Sequence, residues 1–170
     1  MFSQDNYLKI LNYATSAYKN ENSKDIKEYL VHINALAMEI IHSCNNSSLD
    51  EEKSNLAISC ALLYDILNYT EITYDDLYVQ LSAEIADGVE SLSQKDIKKS
   101  IEMLLTQPYE IQMVKLANFI VIISTKFKDY SDEKKSAYLK EASFILSCLK
   151  NSNIYLSNRL EEKIKEYKEI

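Results

Sequence analysis

The sequence predicts an all-α protein, a single domain over residues 1–170 with about eight helices. Three observations carry that reading. The chain has one glycine and one proline, Gly88 and Pro108, whereas hairpins and tight strand–helix connections draw heavily on glycine. Its apolar residues recur at helical spacing, one face every three to four positions. The polar breaks between apolar runs carry helix-start signals, a Ser or Thr followed three residues later by an acidic residue.

The first helix is predicted over about residues 5–19, with Leu8, Leu11, Ala14 and Tyr18 on one face. A polar break, NENSKD, precedes a second helix through IKEYLVHINALAMEIIHSC. Ser48 and Glu51 stand at capping-box spacing and open a third helix that runs on through NLAISCALLYDILNY. Thr73 with Asp76 starts a short helix, and Ser93 with Asp96 starts DIKKSIEMLLT. Pro108 suits the first turn of the helix carrying EIQMVKLANFIVIIS, where its missing N–H costs nothing. Ser131, ahead of Asp132 and Glu133, opens KKSAYLKEASFILSCLK. In the last segment Leu156, Leu160, Ile164 and Tyr167 form a stripe among charges.

Segments 29–41, 56–67 and 111–124 are apolar nearly all round and are predicted to be central. Each carries few polar groups, among them His32 in the first, Asp65 in the second, and Lys115 and Asn118 in the third. A buried ion without a partner costs several kcal/mol, so these side chains are expected to meet one another, water or a metal.

Composition excludes several classes of function. A net charge of -7 and a sequence pI near 4.9 disfavour DNA and anionic membrane as partners, because both are bound through clustered Lys and Arg. No apolar run reaches the roughly 18 residues that suggest a membrane span, and MFSQDNYLKI has no signal-peptide pattern. Cys44, Cys60 and Cys148 are far apart and odd in number, with no CxxC or Cys/His cluster for structural zinc. Cys60 and Cys148 read as core residues, His42 as a surface residue in the last turn of the second helix, and a reducing cytoplasm is the expected setting.

The order of motifs then carries a resemblance. A His within YLVHINALAMEI, followed by ALLYD and then by MVKLANFIVII, resembles the HD-domain phosphohydrolases. Within them it is similar to the RelA/SpoT-type small alarmone hydrolases, which hydrolyse ppGpp. The resemblance covers most of the chain and implies an HD-domain helical bundle. It also implies a divalent metal, usually Mn²⁺, held by two His and two Asp from the three central helices. Position by position, His32 matches the first His and Asp65 the Asp of the HD pair. Tyr64 stands where the second His belongs, and Asn118 where the last Asp belongs. Asn68 and Tyr69 replace the Glu-Asp pair that orients the attacking water, and Ile122 replaces a closing Asn. Lys24, Tyr29 and Lys115 are candidate substrate contacts, although the segment KNENSKDIKE has lost the family's basic, glycine-containing character.

His32 and Asp65 alone offer one neutral nitrogen and one carboxylate, whereas oxygen-preferring metals draw much of their affinity from ligand charge. Asn68 cannot deprotonate water, and a hydrolytic site needs a base or an orienting group. The expectation is therefore a degenerate HD-domain protein without hydrolase activity or cofactor, acting by binding a guanine nucleotide or a protein partner. Two alternatives remain: a Mn²⁺-dependent hydrolase removing the 3′-pyrophosphate of ppGpp with substitute ligands, and an interaction module with a filled pocket. In the inactive case His32 is expected to donate to Asp65, with Asn118 bridging and Lys115 compensating charge. Tyr64, Tyr69, Tyr74 and Tyr78 are expected to be half-buried packing residues in a chain with 13 Tyr and no Trp.

Overall fold

The structure, a computed structural model, describes residues 2–18, 23–47 and 49–168, the side chains of 23–25 and 168 excepted. These residues form ten α-helices with no strand among them. They are α1 (Gln4–Ala17), α2 (Ser23–Asn45), α3 (Glu51–Leu62), α4 (Ile66–Tyr69) and α5 (Tyr74–Gln80), followed by α6 (Ala83–Leu92), α7 (Ile97–Leu104), α8 (Tyr109–Lys126), α9 (Asp132–Leu149) and α10 (Ile154–Lys168). A 3-10 turn, Phe127–Asp129, follows α8 directly.

α8 is the centre of the bundle. Every residue from Ile111 to Ile123 is buried, so the helix has no solvent face and must be surrounded. It packs against α2 and α3 on one side and α9 and α10 on the other, and α2 and α3 also pack on each other. The three segments expected at the centre are there. The stripe on α10 also lies inward, with Leu156, Leu160 and Ile164 buried and Tyr167 set edge-on to Phe127 at 5.0 Å between ring centroids. Arg159 on α10 clamps Glu39 on α2 through two hydrogen bonds of 2.9 and 2.7 Å, a tie that the sequence does not signal.

Two helices more than expected arise from two breaks. The predicted third helix ends at Leu62, and Asp65 takes a left-handed backbone conformation, φ 63° and ψ 7°, before α4 begins. Asp tolerates this region better than a branched residue does, and the kink turns Tyr64 and Asp65 out of the helical path. The second break follows α5, where Ser82 caps α6 by accepting a hydrogen bond from the Ile85 N–H.

The helix starts test the sequence reading in detail. Thr73 and Asp76 form the full capping box, and Ser131 caps α9. Ser48 lies outside the described residues, and α3 is capped instead by Asp50, which accepts from the Lys53 N–H at 2.9 Å. Ser93 closes α6 rather than opening α7. Asp96 caps α7, because its carboxylate accepts from both the Lys98 and Lys99 N–H groups. Pro108 sits one residue before α8, at its cap. On α1 the inward residues are Ile10, Ala14 and Tyr18, and Leu8 is 55% exposed.

Gly88, the single glycine, marks a close approach of α6 to the centre. A Cβ there would lie 2.8 Å from Cys60 Sγ on α3 and 2.8 Å from Ile111 Cδ1 on α8. Cys44 and Cys60 are buried, whereas Cys148 is only partly so. Among the described residues no helix is long and apolar enough to cross a membrane.

Candidate functional site

A cavity of about 520 Å³ opens among α2, the Asp65 kink and α8. α2 contributes Glu28, Tyr29 and His32, three residues within one turn of each other on a single helical face. The kink contributes Tyr64 and Asp65, and α4 contributes Tyr69, which is 63% exposed at the rim. From α8 come Asn118, Ile122 and Lys126, spaced by four residues and therefore on one stripe. Tyr18, Tyr130 and Tyr138 complete the lining.

The four positions expected to match the ligand set, His32, Tyr64, Asp65 and Asn118, share one cavity. Their bonding is not the expected one. His32 Nε2 lies 2.9 Å from Asn118 Oδ1; with that oxygen facing it, Nε2 carries the proton and donates. His32 Nδ1 is left buried without a partner. Asp65 does not take up the His32 proton. It accepts instead from Asn68 Nδ2 at 3.1 Å, and the same amide donates to the Ser93 carbonyl at 2.8 Å. The Asp65 kink explains the difference, since it directs the carboxylate along α4 toward Asn68.

Lys115 sits behind the cavity. It is 5% exposed, and its Nζ donates to Tyr64 Oη and to the Leu92 carbonyl, both at 3.2 Å. Burial lowers its pKa, while the charges of Asp65 and Glu141 raise it. Tyr64 is pushed well above the usual phenol range, first by burial and then by the Asp65 charge, so it stays a neutral phenol. Burial also raises Asp65, against the hydrogen bond from Asn68 and the charges of Lys115, Lys126 and Lys95.

Of the remaining candidates, Tyr29 lines the cavity and its hydroxyl donates to the Leu62 carbonyl at 3.3 Å. The side chain of Lys24 lies outside the described residues. Tyr64 and Tyr69 are cavity residues rather than half-buried packing. Tyr74 donates to Asp87 at 2.7 Å, away from the cavity, and Tyr78 is 52% exposed. His42 lies on the surface against Tyr155. Lys126, Glu28, Tyr18, Tyr130 and Tyr138 were not anticipated. The fourfold spacing from Asn118 through Ile122 could have found Lys126.

No protein-family model and no curated sequence matches the chain, but eight chains of solved structures do. One belongs to a metazoan ortholog of SpoT that hydrolyzes ppGpp and plays a role in starvation responses. It superposes with a TM-score of 0.77 at 17% identity, covering 98% of each chain. The chain has the fold of this ppGpp hydrolase. At that identity the likeness speaks for the fold, and the site must be judged on its own residues.

On this fold the donor set does not suit a divalent metal. Among the described residues no three His, Cys, Asp or Glu side chains gather as a metal-binding group. His32 Nε2 is committed to Asn118 and Asp65 to Asn68. The other two positions hold a neutral phenol and a neutral amide, which bring no charge to a hard cation.

The buried His32 also sets a pH dependence. Burial, and then the charge of Lys126, hold its pKa down to about 4, against the Asn118 hydrogen bond, which raises it. An unfolded His binds its proton near pH 6.5, so between pH 6.5 and about 4 the unfolded chain holds a proton that the folded chain refuses. Stability is therefore full above pH 6.5 and falls as pH drops toward 4, by on the order of 3 kcal/mol. Asp65, raised by burial, works in the opposite direction. Denaturant melts at pH 7 and pH 4.5 on the protein and on His32→Gln isolate the histidine: the variant should lose less stability on acidification. Equal losses would show that His32 titrates normally.

Proposed function

We propose that the chain is a guanine-nucleotide-binding protein built on a ppGpp-hydrolase fold, and that it binds without metal-dependent hydrolysis. One observation carries the proposal: the cavity at the aligned positions is open, about 520 Å³, while the groups that would hold a metal there are tied to each other or neutral. A volume of that size lies within the range of small-molecule sites, which speaks against a filled, purely structural pocket. Asn68 and Tyr69, at the positions of the family's Glu-Asp pair, supply no base: the first is an amide and the second a phenol whose pKa burial raises further. The guanine nucleotide is suggested by the substrate of the neighbour on the same fold, and a cytoplasmic setting goes with such a ligand.

Two readouts on one sample test this. Calorimetric titration with GMP should show saturable binding. Prolonged incubation with ppGpp and Mn²⁺ should return ppGpp intact. Steady release of pyrophosphate would overturn the loss of chemistry, and the absence of binding to any guanine nucleotide would overturn the ligand class.

A further inference from the structure

Granted that the cavity is a nucleotide site, the reading on which this inference rests, its rings and charges also select among nucleotides. Six tyrosines line the cavity. Two pairs come from opposite ends of the sequence: Tyr18 and Tyr29 stack at 3.9 Å between centroids, and Tyr130 and Tyr138 lie 5.5 Å apart. On the faces that neighbouring side chains leave uncovered, such rings receive a planar base by stacking, with little regard to its edge pattern.

Charge is arranged quite differently from the rings. Among the described residues Lys126 is the single Lys or Arg of the lining, which it shares with two carboxyl groups, those of Glu28 and Asp65. Two further cations near the cavity are engaged elsewhere. Lys115 is bound to Tyr64 and the Leu92 carbonyl, and the Lys134 ammonium lies 3.6 Å over the Tyr130 ring. His32 donates to Asn118 and brings no charge. Phosphoryl groups are bound by convergent cations and N–H donors, and each one added beyond the reach of Lys126 would meet carboxylates, neutral phenols and the Asn118 amide rather than a second cation.

We infer that the cavity takes a nucleoside or a nucleoside monophosphate, with the base among the tyrosines and a lone phosphate at Lys126, and that it discriminates against ligands carrying a pyrophosphate. The selectivity is the reverse of that needed to hold a nucleotide with pyrophosphates on two ribose oxygens. Its cause is a cavity that, among the described residues, is rich in rings and poor in cations.

Calorimetric titration of the full chain with guanosine, GMP, GDP and ppGpp, in chelator, tests the order. GMP is expected to bind best and guanosine next, with GDP weaker than GMP and ppGpp roughly tenfold or more weaker than GMP, because the added phosphates meet no second cation. Lys126→Met should reduce the GMP affinity to that of guanosine. Tightest binding by ppGpp would overturn this inference while leaving the nucleotide reading in place. Binding by none of the four would overturn the nucleotide reading and this inference together. An unchanged GMP affinity in Lys126→Met, with the variant folded, would remove the phosphate from Lys126 and overturn the placement.

Discussion

Tyr64→His combined with Asn118→Asp is expected to convert the protein into one that retains close to one Mn²⁺ per chain. Asn118 Oδ1 already lies 2.9 Å from His32 Nε2, so a carboxylate there would be placed beside a retained imidazole. Tyr64 is next to Asp65 in sequence, and both line the same cavity. With both changes the four positions carry two imidazoles and two carboxylates, the charge and donor types a divalent ion requires. Lys115 would lose the Tyr64 hydroxyl but keep the Leu92 carbonyl. Metal binding to the folded form alone should also raise the melting temperature, by about 2.7 kcal/mol of stability at a hundredfold excess over Kd. Elemental analysis and a melt with Mn²⁺ check both. A variant with intact helicity and no metal would mean that the Asp65 kink and Lys115 have moved the backbone away from a metal-holding arrangement.

Phe127→Ala should be the most costly single truncation near the site. Phe127 is fully buried and meets Tyr167 at 5.0 Å and Tyr138 at 6.4 Å, both edge-on, with Tyr130 at 6.0 Å. Removing a buried phenyl ring costs about 3–5 kcal/mol, and roughly 10 °C in melting temperature follows for a chain of this size. The ring also seats Tyr130 and Tyr138, two of the cavity tyrosines. Ligand affinity should therefore fall along with stability. A melting temperature within a degree or two of the parent would mean that the site collapses without a cavity, and that Phe127 does not hold the wall.

Much of this molecule is legible in the chain because its strongest signals are local or continuous. The unbroken burial of Ile111 to Ile123 follows from a segment whose polar residues are only Gln112, Lys115 and Asn118. The capping box at Thr73 follows from a pair three residues apart. Where two caps compete, spacing is not enough. Asp96 wins over Ser93 because a carboxylate accepts two N–H groups at once, and that depends on where α6 ends. The kink at Asp65 is invisible in ALLYDILNY, which reads as continuous helix. Its positive φ is a tertiary outcome, and it sends the carboxylate to Asn68 rather than to His32. The four aligned positions could be drawn together from motif order, whereas Tyr130 and Tyr138 reach the cavity through the turn after α8, which no periodicity describes.

A site that has lost its metal chemistry while its cavity persists should hold almost no Mn²⁺. The most direct measurement is elemental analysis of the unaltered protein after equilibration with Mn²⁺ and removal of the excess. The expected result is far less than one ion per chain, set against near-stoichiometric metal in Tyr64→His/Asn118→Asp. Close to one tightly held Mn²⁺ in the unaltered chain would contradict it, and would make His32 and Asp65 working metal ligands.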